Sequence, residues 1–282
     1  MLNKLNKADI FFLIYILISS LIMIYSLWGE SELLYLLLVR FGILIVIAGI
    51  LISHNKLKTS FTALIAKAYP LILSAYFYQE TVNYNKLFFD NLDSLLEKAD
   101  FFLFGFQAAE TFSQILPNHF FSELMYIAYF SFYLLIIGFF IINYQEKSMG
   151  ENIFHLIASL YLFYLIFSFI PAAGPQYYFP YPQNALPEAF VFDDIMKIIQ
   201  EFGEQPTGAF PSSHVGISII ILILLRENSG KYFKIGLPIV FLLILSTVYI
   251  KAHYVVDVIG GLLFAPFILL ISRKLYVSLP GK

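Results

Sequence analysis

The sequence predicts an all-α, polytopic membrane bundle of about eight spans with interfacial helices on one side, and three observations predict it. Hydrophobic residues make up 60% of the 282-residue chain and charged ones 13%, with a mean hydropathy of +0.79, a balance that a water-soluble globule with a polar skin does not reach. The apolar residues gather in runs close to the about 20 that a helix needs to cross a hydrocarbon core. Lysines and arginines fall unevenly between the two sets of connections that such crossings create.

The spans fall at 9 to 28, 33 to 53, 61 to 80, 119 to 143, 151 to 171, 212 to 227, 233 to 251 and 253 to 274. Lys4 and Lys7 precede the first run in the manner of a secretory leader, but the run is long and no small-residue cleavage pattern follows Trp28, so it reads as a span. The sixth, from 211 to 226, is short enough to be a re-entrant piece, which would reverse the sidedness of all that follows. Charge argues for a full crossing. With the N-terminus inside, Lys4, Lys7, Lys56, Lys58, Lys147, Arg226, Lys231, Lys234, Arg273, Lys274 and Lys282 lie inside, whereas Lys86, Lys98, Lys197 and Lys251 lie outside. This predicts cytoplasmic termini and motifs 211–214 and 253–257 on the non-cytoplasmic face, in a chain expected in the plasma (inner) membrane. Arg40 and Lys67 remain within spans.

Two long stretches interrupt the spans on the outer side. Residues 81 to 118 alternate apolar residues with Asp90, Asp93, Glu97, Asp100 and Glu110 at helical spacing, which predicts amphipathic helices in the interface. Residues 172 to 211 open with a proline- and tyrosine-rich run, pass through a short helix around 191 to 202 and end in GEQPTGAF. Tyr177, Tyr178 and Tyr181 fit an interfacial aromatic belt, with substrate contact as the alternative. One membrane domain is expected, residues 1–60 forming two accessory spans and 61–282 the core. There is no cysteine, hence no disulfide framework or thiolate metal site.

Two motifs carry chemistry. In Pro211-Ser212-Ser213-His214 the proline and serine open and cap the helix that follows, and the free N–H groups of its first turn, with the two hydroxyls, make a ready anion site. In Lys251-Ala252-His253-Tyr254-Val255-Val256-Asp257, the aspartate follows His253 by four residues and leans back toward it. A ring N–H bond to Asp257 would fix the tautomer and leave the other nitrogen as nucleophile or base. Lys251 adds a charge that must face water or an anion. Single histidines near span ends, His54, His119 and His155, read as interfacial hydrogen-bonding residues. Two histidines and a carboxylate also make a recognised iron triad, but a lysine and a helix N-terminus repel a cation. Gly260 and Gly261 read as close helix packing.

At these residues the chain resembles the type 2 phosphatidic acid phosphatase superfamily. That family's second motif is Pro-Ser-Gly/Ser-His, here residues 211–214, and its third is Ser-Arg, five residues, His, three residues, Asp, here Ser246 to Asp257. The resemblance runs from about Asp90 to the C-terminus, and FDNLDSLLEKADFFLFG, PAAGPQYYFP and GAFPSSH look like the inositol phosphorylceramide synthase branch. It implies an integral-membrane, metal- and cofactor-independent phosphoesterase. His253 would attack phosphorus, Asp257 would hold its ring and His214 would protonate the leaving oxygen, giving a phosphohistidine. The implied substrate is a lipid phosphate, with water as acceptor in a lipid phosphatase or a polyol or second lipid in a headgroup phosphotransferase; nucleic acid is not an expected partner. Thr247 stands where the third motif has arginine, and the first motif is reduced to Gly174-Pro175-Gln176. Lys251 is the expected replacement cation, with Ser212, Ser213 and Gln176 as further phosphate-binding residues. A third reading is a transporter or scaffold using Arg40, Lys67 and the histidines for binding alone.

Overall fold

A computed structural model describes residues 5–144 and 149–281; of the cations counted above, Lys4, Lys147 and Lys282 lie outside them. Twelve α-helices and no strand occur among the described residues, as expected: α1 Lys7–Ser26, α2 Glu32–Leu57, α3 Ser60–Glu80, α4 Asp93–Phe104, α5 Ala108–Ile115, α6 His119–Tyr144, α7 Met149–Phe167, α8 Pro175–Tyr178, α9 Phe192–Gly203, α10 Ser213–Asn228, α11 Gly230–Tyr249 and α12 Val255–Ser278. Seven are long and apolar enough to cross a membrane. The eighth expected span is α10, at 16 residues below that length.

Helix α10 nevertheless runs alongside most of α12. At one end the Ser212 N–H donates to the Asp257 carbonyl at 3.0 Å, and at the other Arg273 pairs with Glu227 at 2.6 Å. α10 is therefore parallel to α12 and runs beside its stretch from Asp257 to Arg273, with α11 as the returning helix in chain order. α10 packs against α6, α7, α11 and α12 and is buried along most of its length. A helix walled by protein rather than lipid has no need of a long apolar exterior, which is why its sequence reads short.

Hydrophobic collapse does not drive helices together inside lipid, so close packing of small residues and aromatic rings must. A Cβ on Gly261 would lie 2.6 Å from the Ser212 carbonyl oxygen, so only glycine lets α12 approach the start of α10 this closely. Phe12, Tyr15, Phe77 and Tyr161 form a ring cluster with centroids 4.5–6.5 Å apart, joining α1 to α3 and α7; such pairs contribute about 0.5–1.5 kcal/mol each. Arg40 of α2 is buried and forms a two-pronged ion pair with Glu80 of α3, Nε to Oε1 being 3.0 Å, supported by Tyr76 and Tyr84. The in-span arginine is thus neutralised within the helix pair.

Candidate active site

The first wall of the site is the start of α10. The Ser212 hydroxyl accepts the Val215 N–H at 3.3 Å, capping the helix, and the residue is wholly buried. Its hydroxyl therefore serves the cap, and of the two expected phosphate-binding serines it is Ser213 that lines the histidine pocket. His214 follows, its ring packed between Tyr129 and Phe132 of α6 at centroid distances of 4.7 and 4.4 Å.

The second wall is the turn from α11 into α12. Thr247, in the place of the motif arginine, is buried; its hydroxyl donates to the Ile244 carbonyl and its own carbonyl accepts the His253 N–H at 3.0 Å. It fixes the histidine through backbone and supplies nothing to an anion. Lys251 has φ +61°, a left-handed conformation that L residues rarely adopt. That backbone turn sends its side chain away from the histidines: the ammonium donates to the Gln183 carbonyl and lines a separate cavity with Ser113, His119 and Glu188. The expected replacement cation is therefore not on the wall of the histidine pocket. Spacing of two residues from His253 says nothing about direction where the chain reverses.

Between the two walls the imidazoles meet. His253 Nε2 lies 3.4 Å from His214 Nδ1. On the other side of the ring, His253 Nδ1 faces two acceptors, the Ala209 carbonyl at 2.9 Å and Asp257 Oδ2 at 3.4 Å. With only acceptors around it, Nδ1 carries the proton and Nε2 holds the lone pair. His214 Nδ1, facing that lone pair, is then an N–H donor. Burial pushes the proton affinity of His253 below its ordinary value of 6.5, the neutral form a nucleophile requires. The pocket that the two rings line with Gln176, Glu204 and Ser213 is about 20 Å³, about the room of one water, so a phosphoryl group enters by widening it.

Asp257 sits behind His253, its Oδ2 accepting the Tyr254 N–H at 2.8 Å as well as facing the ring. It orients rather than faces a ligand, and no group of three histidine, cysteine or acidic residues suited to a metal occurs among the described residues. Two aspartates that the sequence placed only on amphipathic helices complete the frame. Asp93 accepts the Ala173 and Gly174 N–H groups at 2.7 and 2.8 Å, and Asp100, two turns along the same face of α4, accepts those of Val255 and Val256 at 3.0 and 2.8 Å. α4 thereby clamps both loops that border the site. The signal was present: two acidic residues seven apart, sharing one face with Leu96, are out of place on an interfacial helix's water side.

Gln176 lines the pocket but turns its amide toward Glu204, Nε2 to Oε2 being 2.9 Å. Gly174 beside it has φ +92° and lies so close to the Ala252 carbonyl that a Cβ would stand 2.7 Å from it. Among the described residues, no lysine or arginine lines this pocket. From His214 an apolar cavity of about 410 Å³ runs between α3 and α6, past Tyr78, Ala75, Ile136 and Phe140, toward Ala68. His54, His119 and His155 lie apart, bonded to Thr62, Ala189 and Ser272.

Facing imidazoles at the mouths of two parallel helices, one backed by a carboxylate and opening on a hydrocarbon groove, define a polytopic membrane protein with a histidine-pair site. The chain belongs to the PAP2 superfamily, whose sequence profile matches residues 101–271. No curated protein and no solved structure matches the chain. The matched region contains the histidine pair and Asp257, with Asp100 just before its start, and family membership supports a phosphoesterase-type function.

Proposed function

We propose that the protein cleaves a lipid phosphoester through a phosphohistidine on His253, as a lipid phosphate phosphatase where water closes the cycle. The single observation that carries this reading is the 3.4 Å approach of His253 Nε2 and His214 Nδ1 between two fixed helix mouths. His253 Nε2 attacks phosphorus while the proton stays on Nδ1, which faces the Ala209 carbonyl and Asp257. The P–O bond to the lipid breaks, and its oxygen takes a proton from His214, which acts as acid from the imidazolium form. His214 then accepts the proton of an incoming oxygen nucleophile. Water releases phosphate, and an alcohol in its place gives headgroup transfer; the absence of any motif arginine from the site favours keeping this second cycle in view. The apolar groove between α3 and α6 would hold a substrate chain, bringing the headgroup to His214 from the bilayer. The uneven division of cations between the two sets of connections supports a site on the non-cytoplasmic face of the plasma membrane.

The test is purified protein in detergent with lipid phosphoesters, with and without added polyol, scored for free phosphate and for new lipid. Phosphate release without acceptor, lost in His253→Ala, supports the phosphatase; strict dependence on an alcohol supports the transferase. Full phosphoester turnover by His253→Ala would end both.

A further inference from the structure

Glu204, just past the end of α9, is the only carboxylate among the described residues on the wall of the histidine pocket. It is 8% exposed, and it also lines the apolar groove and a polar outer vestibule of about 460 Å³ shared with Asn184, Gln176 and Gln200. Three spaces therefore meet at one side chain: hydrocarbon, reaction centre and water. Its oxygens accept from Tyr129 Oη at 2.8 Å, Gln176 Nε2 at 2.9 Å and Gln200 Nε2 at 3.3 Å, all neutral donors. No ion pair to it occurs among the described residues, and Lys197, the vestibule's cation, is held by Asp193 and Asp194.

A buried carboxylate without a counter-ion is costly, and beside a phosphate it is worse. One imidazolium, needed to protonate the leaving oxygen, balances Glu204 on the pocket wall. A phosphomonoester dianion would then add a formal charge of about −2 in front of Asp257, with no lysine or arginine among the described residues on the wall to offset it. A phosphodiester whose headgroup carries an ammonium brings none. The rings of Tyr129, Tyr78 and Tyr177 line the same pocket, and aromatic faces attract such cations.

We propose that Glu204 makes the pocket selective for zwitterionic lipid phosphodiesters, with the phosphate at His214 and His253 and the ammonium against the Glu204 carboxylate and the neighbouring tyrosine rings. The inference rests on the phosphoesterase reading with its phosphohistidine, but replaces the lipid phosphate of the phosphatase cycle by a diester, so that water would release the phosphorylated amino alcohol in place of free phosphate. His253 Nε2 bonds to phosphorus, the P–O bond to the lipid backbone breaks, and that oxygen leaves as an alcohol with the His214 proton. The ammonium-bearing phosphoryl group remains on His253 until the oxygen of water or an alcohol takes it, returning a proton to His214.

The test compares turnover of phosphatidylethanolamine, phosphatidylcholine, phosphatidylglycerol and phosphatidic acid in mixed micelles by wild type, Glu204→Gln and Glu204→Asp. The ammonium lipids are preferred over phosphatidylglycerol, a diester without the cation, by about 10-fold or more in wild type. Glu204→Gln reduces that ratio toward one and raises turnover of phosphatidic acid, whereas Glu204→Asp, which keeps the charge, keeps the preference and shows that the fold tolerates change here. Wild-type preference for phosphatidic acid or phosphatidylglycerol, unaltered in Glu204→Gln, overturns the proposal and leaves the phosphoesterase reading intact. Absence of turnover with all four lipids and of any phosphohistidine counts against both.

Discussion

Gly261→Ala tests whether the spacing of the two helix mouths governs the chemistry. The new Cβ would stand 2.6 Å from the Ser212 carbonyl oxygen and 3.0 Å from Val215 Cβ, where ordinary contact begins at 3.4 Å. The obstacle is backbone, so α10 and α12 must part by the difference, 3.4 less 2.6, or 0.8 Å. Ser212 and His214 are two residues apart on one helix start, and Asp257, which orients His253, is bonded to Ser212 through backbone. The displacement therefore falls on the gap between the imidazoles. A misplacement of about 1 Å costs on the order of 10²-fold in rate, and overpacking of this kind costs about 1–3 kcal/mol in stability. Gly138→Ala on α6 is the control, because a Cβ there meets nothing within 4 Å. The assay is initial rate on whichever lipid phosphoester wild type cleaves best, with thermal melting in the same detergent. A Gly261→Ala enzyme that folds, melts within a degree or two of wild type and turns over at the wild-type rate would refute the reasoning.

His214→Ala, His253→Ala and Asp257→Asn should each lower kcat by orders of magnitude, and the double histidine variant should be little worse than either single one, since the group acts as a unit. Lys251→Ala should leave KM and kcat near wild type, because the ammonium is bonded to Gln183 in another cavity; a large rise in KM would show that the side chain swings to the phosphate. Glu80→Ala should destabilise the protein by about 3–5 kcal/mol in a detergent melt by leaving Arg40 buried and uncompensated, and Arg40→Met with Glu80→Leu should recover most of the loss. The folded protein holds the His253 proton less tightly than the unfolded chain does, so stability from this group is fully present above 6.5 and declines as pH falls below it. The acid limb of kcat/KM that this ring sets should accordingly lie below 6.5; a limb above 6.5 that moves with substitutions around Ala209 and Asp257 would contradict the neutral nucleophile.

Much of the architecture was legible because the bilayer imposes it: apolar runs of fixed length, a serine cap and a His-to-Asp spacing of four are local properties of the chain. Ser212 as the α10 cap and the glycines as packing residues followed from such rules, as did the nearness of Asp257 to His253. What escaped were tertiary facts. The Ala209 carbonyl is the closest acceptor for the His253 ring, and a backbone oxygen has no sequence signature. Lys251 looked like a replacement for the lost arginine because the sequence does not reveal a left-handed turn at a lysine. Glu204 sat in a turn-rich stretch, GEQPTG, where an acid is ordinary; only burial against Tyr129 and Gln176 sets it apart. Asp93 and Asp100 carried a readable clue in their shared helix face, and the clue pointed at a clamp rather than at a membrane surface.

The central claim, that residues 214 and 253 work as acid and nucleophile on one phosphorus atom, is tested most directly by rapid quench of the working enzyme at alkaline pH, followed by peptide mass spectrometry. The account predicts an acid-labile phosphoryl adduct on Nε2 of His253, absent from His253→Ala and slow to form in His214→Ala. An adduct on another side chain, or undiminished turnover by His253→Ala, would contradict it.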